Sequence, residues 1–344
     1  MILTGLGVII GAILIYLVVI IFFPVLSVPS QPIHKAKPEQ EQVPPKCRND
    51  VTFTVEETTV RAWLYLPREK STPVPCIIIS QGFGGTKDMQ ICESYALRFV
   101  DAGMAVLAYD YRHFGASDGE PRQLFSIARQ VEDLKAAINY VRNRKEINSD
   151  KIALWGTSAA GGYGLIIAAQ DPHITCVLGQ CPALDRHEDS KLALKREGIW
   201  FFLKLFVHAQ RDKGRSRFNL SPHKIPIVGR PQTLAVLTAP GAFEGYAKLV
   251  SPDFENSVCA RALLTFGGHN PIDYAEDVQC PVLLQVCEKD NLVSEASYKK
   301  TADILGEYAE VKKYPIGHFD IYEGENFEKA VNDQITFFKK HFGI

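Results

Sequence analysis

The sequence predicts an α/β fold: a mostly parallel central sheet with helices on both faces, an inserted helical cap, and one transmembrane helix ahead of the domain. Three observations lead there. Short apolar runs alternate with amphipathic stretches of helical period along most of the 344 residues. The runs are continuous rather than alternating, as strands buried on both faces require. One long interval, 185–279, loses this beat and reads as an insertion.

The first segment, Ile2 to Leu26, carries no charge and is long enough to cross a bilayer. A cleaved signal peptide would have a basic start and a shorter apolar run, so residues 1–26 are expected to be an uncleaved anchor. Residues 27–50, rich in Pro, Gln, Glu and Lys, read as a tether. Lys35, Lys37, Lys46 and Arg48 follow the span and nothing charged precedes it. The expectation is therefore a single-pass membrane protein, partnered with the bilayer through its N-terminal helix, with a cytoplasmic catalytic domain. The sequon Asn219-Leu220-Ser221 argues for a lumenal side instead.

The remaining residues, 51–344, form one domain. Val51 to Pro67 alternates around a polar EETT turn, a hairpin signal. PCIIIS is a buried strand, KDMQICESYALRFVDAG a helix with a Gly stop, MAVLAYDY a strand and SIARQVEDLKAAINYVRNR a helix. KIALWG, AAGGYGLIIAAQ and ITCVLGQC continue as strand, helix and strand, and PVLLQV, SEASYKKTADILGEY, AEVKKYP and ENFEKAVNDQITFFKKHF close the series. The insertion holds helical WFFLKLFVHAQ and a Pro/Gly-rich stretch. It would cap the C-terminal edge of the sheet, where ligands of open α/β sheets bind.

Composition removes several function classes. The chain carries 38 basic and 39 acidic residues, interspersed, so no basic patch is offered to nucleic acid. Its eight cysteines include no C-x-x-C pair and sit in apolar runs, which reads as free thiols. Metal-ligand spacing is absent. No cofactor is expected either. Gly156 to Gly161 has P-loop spacing, but Gly162 stands where the phosphate-binding Lys belongs. Gln81-Gly82-Phe83-Gly84-Gly85 is not a dinucleotide fingerprint.

The chemistry concentrates at three junctions. KIALW runs into Gly156-Thr157-Ser158-Ala159-Ala160-Gly161-Gly162 and a helix, the setting of a nucleophilic serine raised on a sharp turn. A serine there also serves as a plain helix cap, and Ala160 replaces the second glycine of G-x-S-x-G, displacing the tight packing to Gly161. The Gln81–Gly85 loop is either a simple turn or the first half of an oxyanion hole. On the second reading the backbone N–H groups of Phe83 and Ala159 bind the oxyanion. Asp290 closes PVLLQVCEKD and His318 lies in YPIGHFDIY, so acid and base follow Ser158 in the chain order of this chemistry. Glu288 and Asp185 compete with Asp290 as the acid. The stretch YDYRHFGASDGEPR reads as a turn network in which Asp110, Arg112 and Asp118 pair and His113 is structural.

Together GFGGTKD, YDYRHFGASDGEPR, WGTSAAGGYG, the acid after PVLLQV, and YPIGHFDIY resemble the α/β-hydrolase superfamily. The subgroup resembled contains dienelactone-hydrolase-like, X-Pro-peptidase (S15)-related and polyketide-transferase-like proteins. Gln81 stands where many relatives carry His, and Ala159-Ala160 where Phe-Gly, Tyr-Gly or Phe-Ser are common. The resemblance implies a serine hydrolase that cleaves a carboxylic ester or thioester of a small-molecule acyl substrate through an acyl-enzyme. Acyl transfer on the same triad, peptidase activity, and an inactive membrane-bound binding module are the alternatives. The aromatic stretch Ile199 to Val207 is expected either to pack as core or to roof an apolar pocket with no charged subsite.

Overall fold

The computed structural model describes residues 2–22, 28–29, 31–33, 44–68, 73–266 and 268–344. A helix α1 (Ile2–Phe22) precedes a hairpin of β1 (Arg48–Val55) and β2 (Thr58–Tyr65). Then come β3 (Val74–Ser80), α2 (Gln90–Asp101), β4 (Ala105–Tyr109), α3 (Ile127–Arg142), β5 (Ile147–Thr157), α4 (Tyr163–Ala168) and β6 (Cys176–Gln180). The interval expected as a cap carries α5 (Arg186–Glu197), α6 (Ile199–Arg217), the short pair β7 (Lys224–Ile225) and β8 (Val258–Cys259), and α7 (Ala242–Leu249). The chain ends with β9 (Val282–Cys287), α8 (Glu295–Leu305), β10 (Ala309–Tyr314) and α9 (Gly324–Phe342).

The main sheet has eight strands in the order β1-β2-β4-β3-β5-β6-β9-β10. β1 and β2 pair antiparallel, as do β2 and β4, and the others are parallel. Every residue of β3, β4, β6 and β9 is buried, which is why these strands read as unbroken apolar runs. The hairpin instead has one wet face, so its burial alternates, and it starts at Arg48 rather than Val51. Strand order reverses between β3 and β5, and the ends of β5, β6 and β9 converge on one edge, the switch point of such sheets.

The N-terminal reading is corrected. Among the described residues no helix is long and apolar enough to cross a membrane. The expected transmembrane anchor over 1–26, its bilayer partner, and the single-pass membrane localisation with a cytoplasmic domain are therefore overturned. The end of α1 is instead committed to a protein neighbour, α6. Arg211 donates to the Ile20 carbonyl, Arg215 Nη1 to the Ile21 carbonyl at 3.1 Å, and Phe22 packs on Phe218 with ring centroids 5.2 Å apart. A run without charges reports apolarity, not its neighbours: the last turn meets α6, while Ile9, Leu14 and Ile15 remain exposed. Much of the tether expected over 27–50 lies outside the described residues, and its last three belong to β1.

The expected pairing within YDYRHFGASDGEPR is also replaced. Asp110 takes Lys87, whose Nζ and backbone N both lie 2.6 Å from its carboxylate. Arg112 turns to Asp133, Glu56 and Glu132. Asp118 lies 3.7 Å from Arg61. Partners from other elements reach Asp110 and Arg112 in the interior and Asp118 at the surface, and sequence proximity does not report that.

Candidate active site

β5 ends at Thr157, and Ser158 takes φ +52°, a left-handed conformation that a non-glycine residue holds only where its surroundings impose it. The turn is tight enough to exclude side chains on either side. A Cβ added to Gly156 would lie 2.2 Å from the Ala160 carbonyl oxygen, and one on Gly161 2.5 Å from Pro182 Cβ. Ala160 itself is fully buried at the point where the motif would have had glycine. The Ser158 carbonyl accepts from Gly161 N and Ala183 N, both at 2.9 Å, which ties the turn to the residues after β6.

His318 sits after β10 and Asp290 after β9, and the structure brings both to Ser158. His318 Nε2 lies 3.1 Å from Ser158 Oγ, and His318 Nδ1 lies 2.5 Å from Asp290 Oδ2. The other Asp290 oxygen, Oδ1, accepts from Leu292 N at 2.8 Å and Val293 N at 2.9 Å, which fixes the carboxylate plane. Both side chains are nearly dry, 3% exposed for His318 and 7% for Asp290. Burial by itself would lower the His318 pKa, but the Asp290 carboxylate, together with the neighbouring Cys181, holds the imidazole above the ordinary histidine range. The competing acids are elsewhere: Asp185 caps α5 by accepting from His187 N at 3.0 Å, and Glu288 is exposed.

Phe83 and Ala159 border the same cavity as Ser158. The Phe83 carbonyl accepts from Tyr246 Oη at 2.5 Å, so α7 holds the Gln81–Gly85 loop. The Gln81 amide nitrogen donates to Cys92 in the core. The Phe83 ring packs on Phe125 and Phe266, with centroids 4.6 and 5.8 Å away.

The cavity above Ser158 measures about 540 Å³. The aromatic stretch of α6 forms a wall of it, with Leu205 also buried in the core. Phe201, Phe202, Leu205 and Phe206 line it, while Trp200 and Phe206 remain 76% and 52% exposed. The expectation of a pocket without charged groups fails, because α5 contributes Arg186, Asp189, Arg196 and Glu197 to the lining. Sequence reasoning passed over Tyr246, Arg186 and Asp189. The i, i+3 spacing of Arg186 and Asp189 at the start of α5 was the one visible signal of that pair.

Comparison with known proteins agrees with this architecture. The family described as X-Pro dipeptidyl-peptidase (S15 family) matches residues 56–217. The quorum-quenching protein AidA of Acinetobacter baumannii is 37% identical over 298 residues, covering 86% of this chain and 96% of that protein. The chain belongs to the α/β-hydrolase superfamily. Within it, the chain falls in the S15-related subgroup. The thiohydrolase apmlB of Arthrinium phaeospermum is 26% identical over 304 residues, covering 84% of this chain and 95% of its own length. The crystal structure of the α/β-hydrolase GrgF from Penicillium sp. sh18 superposes with a TM-score of 0.74 at 24% identity, over 86% of this chain and 99% of that one, which speaks to the fold. This α/β-hydrolase is an esterase-type enzyme, a serine hydrolase or acyltransferase that acts on a small-molecule substrate.

Proposed function

We propose that this α/β-hydrolase cleaves a carboxylic ester or thioester through an acyl-enzyme on Ser158, with His318 as base and Asp290 as acid. The observation that carries the reading is the position of one buried imidazole, 3.1 Å from a serine hydroxyl and 2.5 Å from a carboxylate. With Nδ1–H donating to Asp290, Nε2 is left to accept the Ser158 proton as Oγ attacks the substrate carbonyl. The oxyanion that forms would be met by the backbone N–H groups of Phe83 and Ala159. His318 then returns its proton to the leaving alcohol or thiol, whose bond to the acyl carbon breaks. A water, deprotonated by the same nitrogen, releases the acid and regenerates Ser158.

The acyl group would lie in the cavity against Phe202 and Phe206. Transfer of the acyl group to an alcohol other than water uses the same steps, and the largely buried setting of His318 favours it wherever such an acceptor excludes solvent. Relatives named as polyketide transferases support keeping that second reading. A fluorophosphonate probe and a panel of p-nitrophenyl esters, with and without added alcohol acceptors, test both readings. Ser158→Ala should abolish labelling and lower kcat by about 10⁶-fold with the fold intact. Labelling that survives the substitution would remove Ser158 from the mechanism.

A further inference from the structure

The cavity over Ser158 has two unlike sides. One is hydrocarbon, including Phe202, Phe206, Leu263 and Phe266, and the other is the α5 wall with its four charged residues. Two of those four are already satisfied. Arg196 Nε donates to Glu197 at 2.7 Å, and its Nη1 to the Asn291 carbonyl at 2.5 Å. Arg186 and Asp189 differ. They stand three residues apart on α5, so they share a face of the helix. Asp189 Oδ1 accepts from Ser294 N at 2.8 Å, yet Oδ2 is buried with no hydrogen-bond partner among the described residues. The same holds for Arg186 Nε and Nη2, the edge of the guanidinium that grips acceptors as a fork. Burial lowers the pKa of Arg186 and pushes the Asp189 carboxyl up to about 7. Buried polar atoms without partners are unusual enough to need a reason, and a ligand group that completes them is one.

We propose that Arg186 and Asp189 form a polar subsite for a neutral substrate group that both accepts and donates hydrogen bonds, a hydroxyl or secondary amide along the acyl chain. The hydrocarbon of that chain lies on the aromatic wall. A carboxylate fits poorly, because Asp189 stands beside the arginine and repels it. Pure hydrocarbon leaves all three atoms without partners. The inference rests on the reading of Ser158 as nucleophile and adds a substrate class to it.

The test compares p-nitrophenyl hexanoate with esters of the same length that carry one hydroxyl at successive carbons from the third, or one amide in the chain. In the wild-type enzyme at least one polar ester should exceed the hydrocarbon ester in kcat/KM by about tenfold, the scale of one hydrogen bond to a charged group. That ratio should fall toward one in Asp189→Asn, which keeps an oxygen for Ser294 N but loses the second acceptor. It should also fall in Arg186→Met, which keeps the stem and loses the fork. Loss of the preference in either folded variant supports the subsite, so a variant that misfolds leaves the other to decide. A wild-type enzyme that favours hydrocarbon at every position, or a preference that both variants retain, overturns it. In those two outcomes, fluorophosphonate labelling of Ser158 and turnover of the hexanoate show that the hydrolase reading still stands. If Ser158 is not labelled and no ester turns over, both readings fall together.

Discussion

Replacing Asp290 with Asn separates a tautomer effect from a packing effect, because the structure dictates which way the new amide must face. Asp290 Oδ1 receives two backbone donors, Leu292 N at 2.8 Å and Val293 N at 2.9 Å. The oxygen of an asparagine must take that position, since an NH₂ group there would meet two N–H donors. Its NH₂ then points where Oδ2 stood, 2.5 Å from His318 Nδ1. An amide donor at that place makes Nδ1 the acceptor and puts the ring proton on Nε2, facing Ser158 Oγ at 3.1 Å. The nitrogen that should accept the serine proton now carries one of its own. The expected loss is about 10⁴-fold in kcat, the cost of a triad histidine held in the wrong tautomer. That corresponds to about 5.4 kcal/mol at 1.36 kcal/mol per tenfold. KM should change little, because Asp290 does not line the large cavity. Steady-state kinetics on p-nitrophenyl esters, with circular dichroism to verify folding, measures this. A loss under tenfold would refute the argument, and inactivation by Asp185→Asn instead would place the acid after β6.

Three further outcomes follow from the same geometry. His318 is held above the ordinary histidine pKa and must be neutral to act, so kcat/KM should rise along a limb centred above pH 6.5 and fall as His318 protonates below it; in Asp290→Asn the limb should move to lower pH, and an unmoved limb would assign it to another group. Each methylene buried against the aromatic wall contributes about 0.8 kcal/mol, about fourfold in kcat/KM, until the cavity is full; Phe202→Ala should extend the rising series to longer chains, and an unchanged chain-length optimum in folded protein would take Phe202 out of the acyl site. Tyr246→Phe removes the donor to the Phe83 carbonyl and leaves it buried, a cost of about 1–3 kcal/mol; kcat should fall about tenfold or more with KM nearly unchanged, and a normal kcat would detach α7 from the loop beside Ser158.

Much of this protein could be read from the order of its residues. The alternation of buried runs and amphipathic helices announced the parallel sheet, because strands covered on both faces have no polar side to show. The small residues around Ser158 announced a sharp turn, and of Ser158, Asp290 and His318, named in that order along the chain, the histidine lies within hydrogen-bond distance of the other two. These are local signals, set by backbone sterics and by burial of neighbours along the chain. What the tertiary structure alone decided involves distance across the chain. Asp290 rather than Asp185 or Glu288 meets His318, because Asp185 is taken by the N-terminus of α5 and Glu288, two residues earlier in the same loop, faces solvent. The uncharged N-terminal helix delivers its last turn to the arginines of α6, a partner that its own apolar run does not name. The aromatic stretch of α6 became mainly a cavity wall, since helical period reports that a face is apolar but not what lies opposite. Arg186 and Asp189 entered that cavity for the same reason: α5 carries no buried residues to mark its inward face, so only its packing set which charges turned toward Ser158.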